Sequence, residues 1–231
     1  MTSNGTAIID DSVVIAPTAV IGSPYRPLLD GREIRADRPT EINKGVWIGQ
    51  FTTIGHGVRI GAASLIEDYV EIQARAEIGE RVLVTGRSWI GLDATVGNDS
   101  VIKGHIGDSV RIGKNCRVAG DLIHRQLDPS RGWDDEGSEE SAPFVDDDAF
   151  VGWKAVIVGG VNVGRGAYVC AGALVTRDVP PGWIASGKNK FVHPSRWRGR
   201  LGKSSFFQSR SGRPGDRWLT EAALLRAGEL G

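Results

Sequence analysis

Four histidines, His56, His105, His124 and His193, are the side chains best suited to move protons near neutral pH. No two of them lie a few residues apart, so the spacing of a histidine-based zinc site is missing and no metal is expected. His124 has the most distinctive setting. It opens the segment "HRQLDPS", and Asp128 follows four residues later, where its carboxylate could orient an imidazole. From Asp128 to Asp148 the chain is acid-rich, with Arg131 as the only base. His56, in "IGHGVR", falls two residues after Ile54 and is expected to face outward. His105, in "IKGHIG", is expected to relieve a local slip in the pattern described next, and His193 stays unplaced. Cys116 and Cys170 have neither metal spacing nor a disulfide framework.

The elements that must position these groups repeat every six residues. Ile42, Ile48, Ile54, Ile60, Ile66, Ile72, Ile78, Val84, Ile90, Val96 and Ile102 keep one phase. The phase slips at "IKGHIG", resumes at Ile106, Ile112 and Val118, and returns from Val145 to Val175. Ile9, Ile15 and Ile21 form an earlier set. Six residues match neither a helix nor a simple alternating strand, but they suit one short strand and one corner. Each β-branched anchor is expected to point inward and stack on its copy one coil away. So is the small or β-branched residue four places on, as at Thr52, Val58, Ser64, Ala76 and Ser100. Glycine often follows the anchor, where it is expected to supply the backbone angles of the corner. Three units close a triangular coil, with coils about 4.8 Å apart.

Composition narrows the function. The 231 residues suit one main domain, and 28 basic against 28 acidic residues give no global field for nucleic acid or a membrane. The start "MTSNGTAIID" has neither a cationic nor an apolar stretch, which predicts no signal peptide and a cytoplasmic protein. No apolar run approaches the roughly 18 residues of a membrane span. The coil is interrupted at 23–41 and 123–144, and "VPPG" after Val179 is expected to end it. Residues 1–191 therefore read as the solenoid domain and 192–231 as a basic tail, with an amphipathic helix at 216–230.

The anchors resemble the hexapeptide-repeat family, which implies an all-β, left-handed parallel β-helix. "HRQLDPS", the acidic segment and "AFVGWKAVIVGGVNVGRGAYVCAGALVTRDVPPG" are most similar to its xenobiotic acetyltransferase-like branch. That resemblance implies an acyltransferase using acetyl-CoA, with His124 as general base and a homotrimer whose active sites lie between subunits. The aromatic-Pro-Phe-Asn segment often found after the aspartate in that branch is absent here, which bears on the antibiotic substrates. A γ-class carbonic anhydrase would need a close histidine pair that the chain lacks.

Coenzyme A needs a flat groove with cations at one end. Ala155 and Ala173 are expected to be small outward positions for the pantetheine arm, and Trp153 an outward ring beside it. "SGKNKFVH" replaces the family's Gly-Asn-Pro-Ala-Lys turn and lacks its proline, leaving Lys188 and Lys190 as candidate phosphate contacts. The acidic segment, if it overhangs the site, would favour a cationic acceptor such as an amino sugar. Two alternatives stand beside this small-molecule acetyltransferase. One uses an acyl carrier protein as donor and a nucleotide sugar as acceptor, and the other is a non-catalytic scaffold.

Overall fold

The computed structural model describes residues 7–23, 38–125 and 141–208. Short strands alternate with tight turns and build three sheets. The first runs from Ile8–Ile9 through Glu41–Ile42 to Asn162–Val163, and the second from Val14–Ile15 through Trp47–Ile48 to Tyr168–Val169. The third runs from Val20–Ser23 through Thr53–Gly55 to Leu174–Val175. Consecutive strands enter consecutive sheets and pair in parallel, so the chain winds around a three-sided prism. The expected left-handed parallel β-helix is the architecture observed.

The anchors make the core. Ile48, Ile66, Val84, Ile102, Val118 and Val151 pair one above another in the second sheet, and all are buried. Each such side chain contributes about 1.5–3 kcal/mol by leaving water. The residues four places on are buried too, and those with hydroxyls join coils. Ser64 Oγ donates to the Gly79 carbonyl at 2.8 Å and accepts the Val82 N–H at 3.0 Å. Ser100 does the same with Gly113 and Cys116.

Two expectations about the corners need correction. The left-handed backbone position is the third residue after the anchor, and many residue types fill it: Phe51, Tyr69, Arg75, Arg81 and Arg87 all have φ between 52° and 64°. The glycine directly after the anchor serves close approach instead. A Cβ on Gly49 would lie 2.3 Å from Asp68 Oδ1, which accepts the Gln50 N–H at 2.7 Å. Gly91 and Asp108 repeat the arrangement, with Asp108 accepting the Leu92 N–H at 2.8 Å.

The coil also continues past "VPPG". Ile184–Ser186 adds in parallel to the second sheet, and Lys190–Val192 folds back antiparallel on it. A short helix, Ser205–Gln208, sets Phe206 edge-on against Phe150 and Tyr168 of the second sheet's outer face. The helix expected at 216–230 lies outside the described residues. Among the described residues no helix is long and apolar enough to cross a membrane.

Candidate functional site

His124 lies on the outer face of the third sheet, at its corner with the first. It follows the strand Asp121–Ile123 directly and is exposed. Both excursions start at this same corner, one after Val20–Ser23 and the other after Asp121–Ile123. Glycines flank His124 in the coils on either side. Gly107 lies over it in the preceding coil, where a Cβ would stand 3.6 Å from the His124 backbone nitrogen. In the next coil the Gly159 N–H donates to the Ile123 carbonyl at 2.9 Å. Gly159 has φ +82°, and a Cβ there would press on Arg125, while one on Gly160 would strike Ser141. The chain thus leaves at Arg125 and returns at Ser141 over a glycine pair that keeps this corner low.

Trp153 stands at the opposite corner of the same face, just before Val156–Val158, the strand paired with Asp121–Ile123. It is 51% exposed, as expected, and Lys103 Nζ sits 4.9 Å from its ring centroid. Lys188 is exposed and bridges to Leu174 at the end of the third sheet, three pairings on from Asp121. That places it about 14 Å along the ladder. His124, Trp153 and Lys188 therefore frame one outer face. Lys190 is also exposed but begins the antiparallel edge strand of the second sheet, outside that frame.

Ala155 and Ala173 do not face outward. Both are buried in the core, because each falls four places after an anchor, Val151 and Val169, at the inward small position. Asp128 lies outside the described residues. His56 is half-buried, and burial followed by the nearby Arg75 lowers its pKa. His193 caps the short 3-10 turn Pro194–Arg196. Cys116 is buried, and burial pushes its thiol up to about 12, so it is no nucleophile at neutral pH. Among the described residues no three metal-ligating side chains converge.

The corner between the second and third sheets holds groups that the repeat count passed over. His105 is exposed, with its ring stacked flat on Trp89 at 4.3 Å, and its backbone N–H donates to Asp121 Oδ1 at 3.2 Å. The spacing between anchors here is four residues instead of six, from Ile102 to Ile106 and again from Val118 to Leu122. Two successive corners are therefore cut short. Gly104 and Gly120 make this feasible, since a Cβ on either would lie 2.3 Å from a carbonyl oxygen one coil on. Beside the gap opens a cleft of about 410 Å³, lined among others by Tyr69, Thr85, Arg87 and Lys103. The doubled four-residue spacing was the signal in the sequence; only its first instance stands out, because the excursion hides the second.

No family model matches the chain. A stretch of 76 residues is 41% identical to the 2,3,4,5-tetrahydropyridine-2,6-dicarboxylate N-acetyltransferase of Staphylococcus aureus, covering 32% of this chain and 28% of that protein. Another of 93 residues is 32% identical to the bifunctional protein GlmU of Thermotoga maritima, covering 40% of this chain and 19% of that one. The chain thus spans less than a third of the length of the curated relatives it matches. Among solved structures, the UDP-N-acetylglucosamine acyltransferase from Campylobacter jejuni superposes with a TM-score of 0.44 at 15% identity, over 93% of this chain and 90% of that one.

Proposed function

We propose that this hexapeptide-repeat β-helix protein is an acyltransferase of the xenobiotic acetyltransferase-like branch. It moves an acetyl group from acetyl-CoA to a hydroxyl or amine of a small polar acceptor. The observation that carries the reading is His124, exposed on a rigid wall where the chain leaves the coil, at a corner that its flanking glycines keep low. Loops on such scaffolds are common places for catalysis.

In this reading His124 takes the acceptor's proton while the acceptor attacks the thioester carbonyl. The tetrahedral oxyanion collapses, the C–S bond breaks, and the CoA thiolate takes the proton from the imidazolium. The Gly160 N–H has no hydrogen-bond partner among the described residues and is the candidate oxyanion donor. Asp128 orients the imidazole. Trp153 packs against the pantetheine arm, and Lys188, on the same face, meets the phosphates. The protein works as a homotrimer in the cytoplasm. Trp47, Leu65, Leu83 and Val101, an apolar strip on the outer second face, meet a neighbouring subunit and place the active site between chains.

Thiol release from acetyl-CoA over a panel of amino sugars, sugars and small amines tests the reaction. His124→Ala is expected to lower kcat by about 10²- to 10⁴-fold while acetyl-CoA still binds. An unchanged kcat removes His124 as the base. No calorimetric binding of acetyl-CoA at millimolar concentration removes the donor.

A further inference from the structure

We propose that the C-terminal end of the solenoid docks end-on against an anionic lipid surface. The inference goes beyond the acyltransferase reading and rests on it only for the trimer.

The argument begins with an imbalance that a net charge of zero conceals. Among the described residues of the first three coils, 7–23 and 38–72, Asp10, Asp11, Glu41, Glu67, Asp68 and Glu71 stand against three bases, Arg38, Lys44 and Arg59. At the other end, between Arg177 and Lys203, the sign reverses. Lys188 apart, Arg177, Lys190, Arg196, Arg198, Arg200 and Lys203 stand against one acid, Asp178. All six basic side chains are exposed, and none has an ion pair among the described residues. Asp178 is engaged elsewhere, its carboxylate accepting the Asn162 N–H at 2.8 Å. The two ends of the solenoid therefore differ in sign, negative at the first coils and positive at the last.

A folded platform carries these cations. The edge strand Lys190–Val192 pairs back on the last coil, and the Arg177 guanidinium lies 5.8 Å from the Phe191 ring centroid. His193 caps the turn Pro194–Arg196, and its ring meets Trp183 of the last coil at 5.7 Å, nearly perpendicular. The turn Leu201–Lys203 sits so close to the first turn that a Cβ on Gly202 would lie 2.3 Å from the Pro194 carbonyl oxygen. Arg196, Arg198, Arg200 and Lys203 leave this fixed backbone, so only their side chains lose freedom when they meet a surface.

The rest of the platform narrows the partner. Past Leu174 no large apolar side chain is exposed among the described residues. That gives no exposed ring to stack on a nucleobase and no wedge to enter hydrocarbon. Contact at this end is electrostatic and calls for a broad field of negative charge. In a cyclic trimer built along the strip Trp47, Leu65, Leu83 and Val101, the solenoids run side by side and their basic ends share one plane. A plane of cations matches a plane of anionic headgroups better than the curved backbone of a duplex. Docked this way, the lateral wall with His124 stays open to substrates, its strand about 14 Å along the ladder from the end.

The test sediments the full chain with vesicles of phosphatidylcholine alone, and with vesicles in which phosphatidylglycerol replaces a third of the lipid. Binding is expected on the phosphatidylglycerol vesicles at about 50 mM salt, and is expected to vanish at about 500 mM or on phosphatidylcholine alone. Arg198→Glu with Arg200→Glu is expected to weaken it at least tenfold with an unchanged melting temperature. Lys44→Glu with Lys114→Glu makes the same change in net charge away from this end, and is expected to weaken it less than threefold. No binding at low salt, equal binding to both vesicles, or indifference to Arg198 and Arg200 overturns the proposal. Tighter binding of polyglutamate or a short DNA duplex than of the vesicles, at matched charge concentration, assigns the end to a soluble polyanion and also overturns it. Vesicle binding is read without acetyl-CoA, and sedimentation velocity counts the subunits separately, so this proposal and the acyltransferase reading fail independently.

Discussion

Two corners of one coil carry arginines locked to aspartates, and the third carries an arginine resting on a ring. Arg75, Arg81 and Arg87 share a left-handed backbone, with φ of 60°, 52° and 64°. The local chain is therefore the same at all three. What differs is the next coil, which brings Asp93 and Asp99 to the first two and a shortened turn to the third. A repeat sets where a side chain starts; the neighbouring coil decides what it meets. At Arg75 and Arg81 the coil that follows neutralises the charge within the wall. At Arg87, where the next coil's corner is cut back, no carboxylate among the described residues meets the guanidinium.

The largest expected effect comes from the glycine that permits the cut. Gly104→Ala drives a Cβ into the Gly120 carbonyl from a backbone at φ +142°, and is expected to cost about 1–3 kcal/mol in chemical denaturation. Gly172→Ala, at φ +67° with nothing within 4 Å, is expected to cost only the left-handed penalty of about 1 kcal/mol. Equal losses would mean that the shortened corner is no tighter than an ordinary one.

The ion pairs should differ from the ring contact by less. Asp99→Ala removes the partner of Arg81 and is expected to cost about 0.2–1 kcal/mol, reduced further by added salt because both groups are partly exposed. Arg87→Ala is expected to change stability by no more than about 0.5–1 kcal/mol, with less salt dependence. A strongly salt-sensitive Arg87 would indicate a carboxylate partner and erase the contrast between corners.

The smallest effect is a pH dependence at the corner that carries both excursions. Burial, then Arg75, holds the His56 imidazole below its ordinary value of 6.5. The unfolded chain then binds more protons just below pH 6.5, so stability falls as pH drops through that value toward the folded-state pKa. His56→Gln is expected to flatten this part of the melting curve, and an unchanged slope would assign it to another group.

Much of this was legible residue by residue. The inward anchors, the buried fourth position and the outward Trp153 all follow from counting in sixes, because a parallel ladder repeats one environment per turn. The same count, applied consistently, places Ala155 and Ala173 in the core, since each is four residues after an anchor. Small size alone suggests a groove, but the six-residue phase is the stronger determinant and turns both side chains inward. His124 stood out because a polar, ring-bearing residue begins a break in an otherwise regular run. The role of the glycine after each anchor could not be read locally. Its necessity comes from the chain one coil away, which is backbone at Gly55, Gly61 and Gly152 and includes the Asp68 side chain at Gly49.

The sequence alone therefore determined the coil, its phase and its inward face, because those depend on side-chain type at a fixed period. The tertiary structure alone decided which corner groups meet across coils. It paired Arg81 with Asp99, stacked His105 on Trp89, and left Arg87 and Lys103 over rings beside an open cleft. Those contacts join residues a full turn apart. A change of two residues in the length of one corner is enough to reassign them.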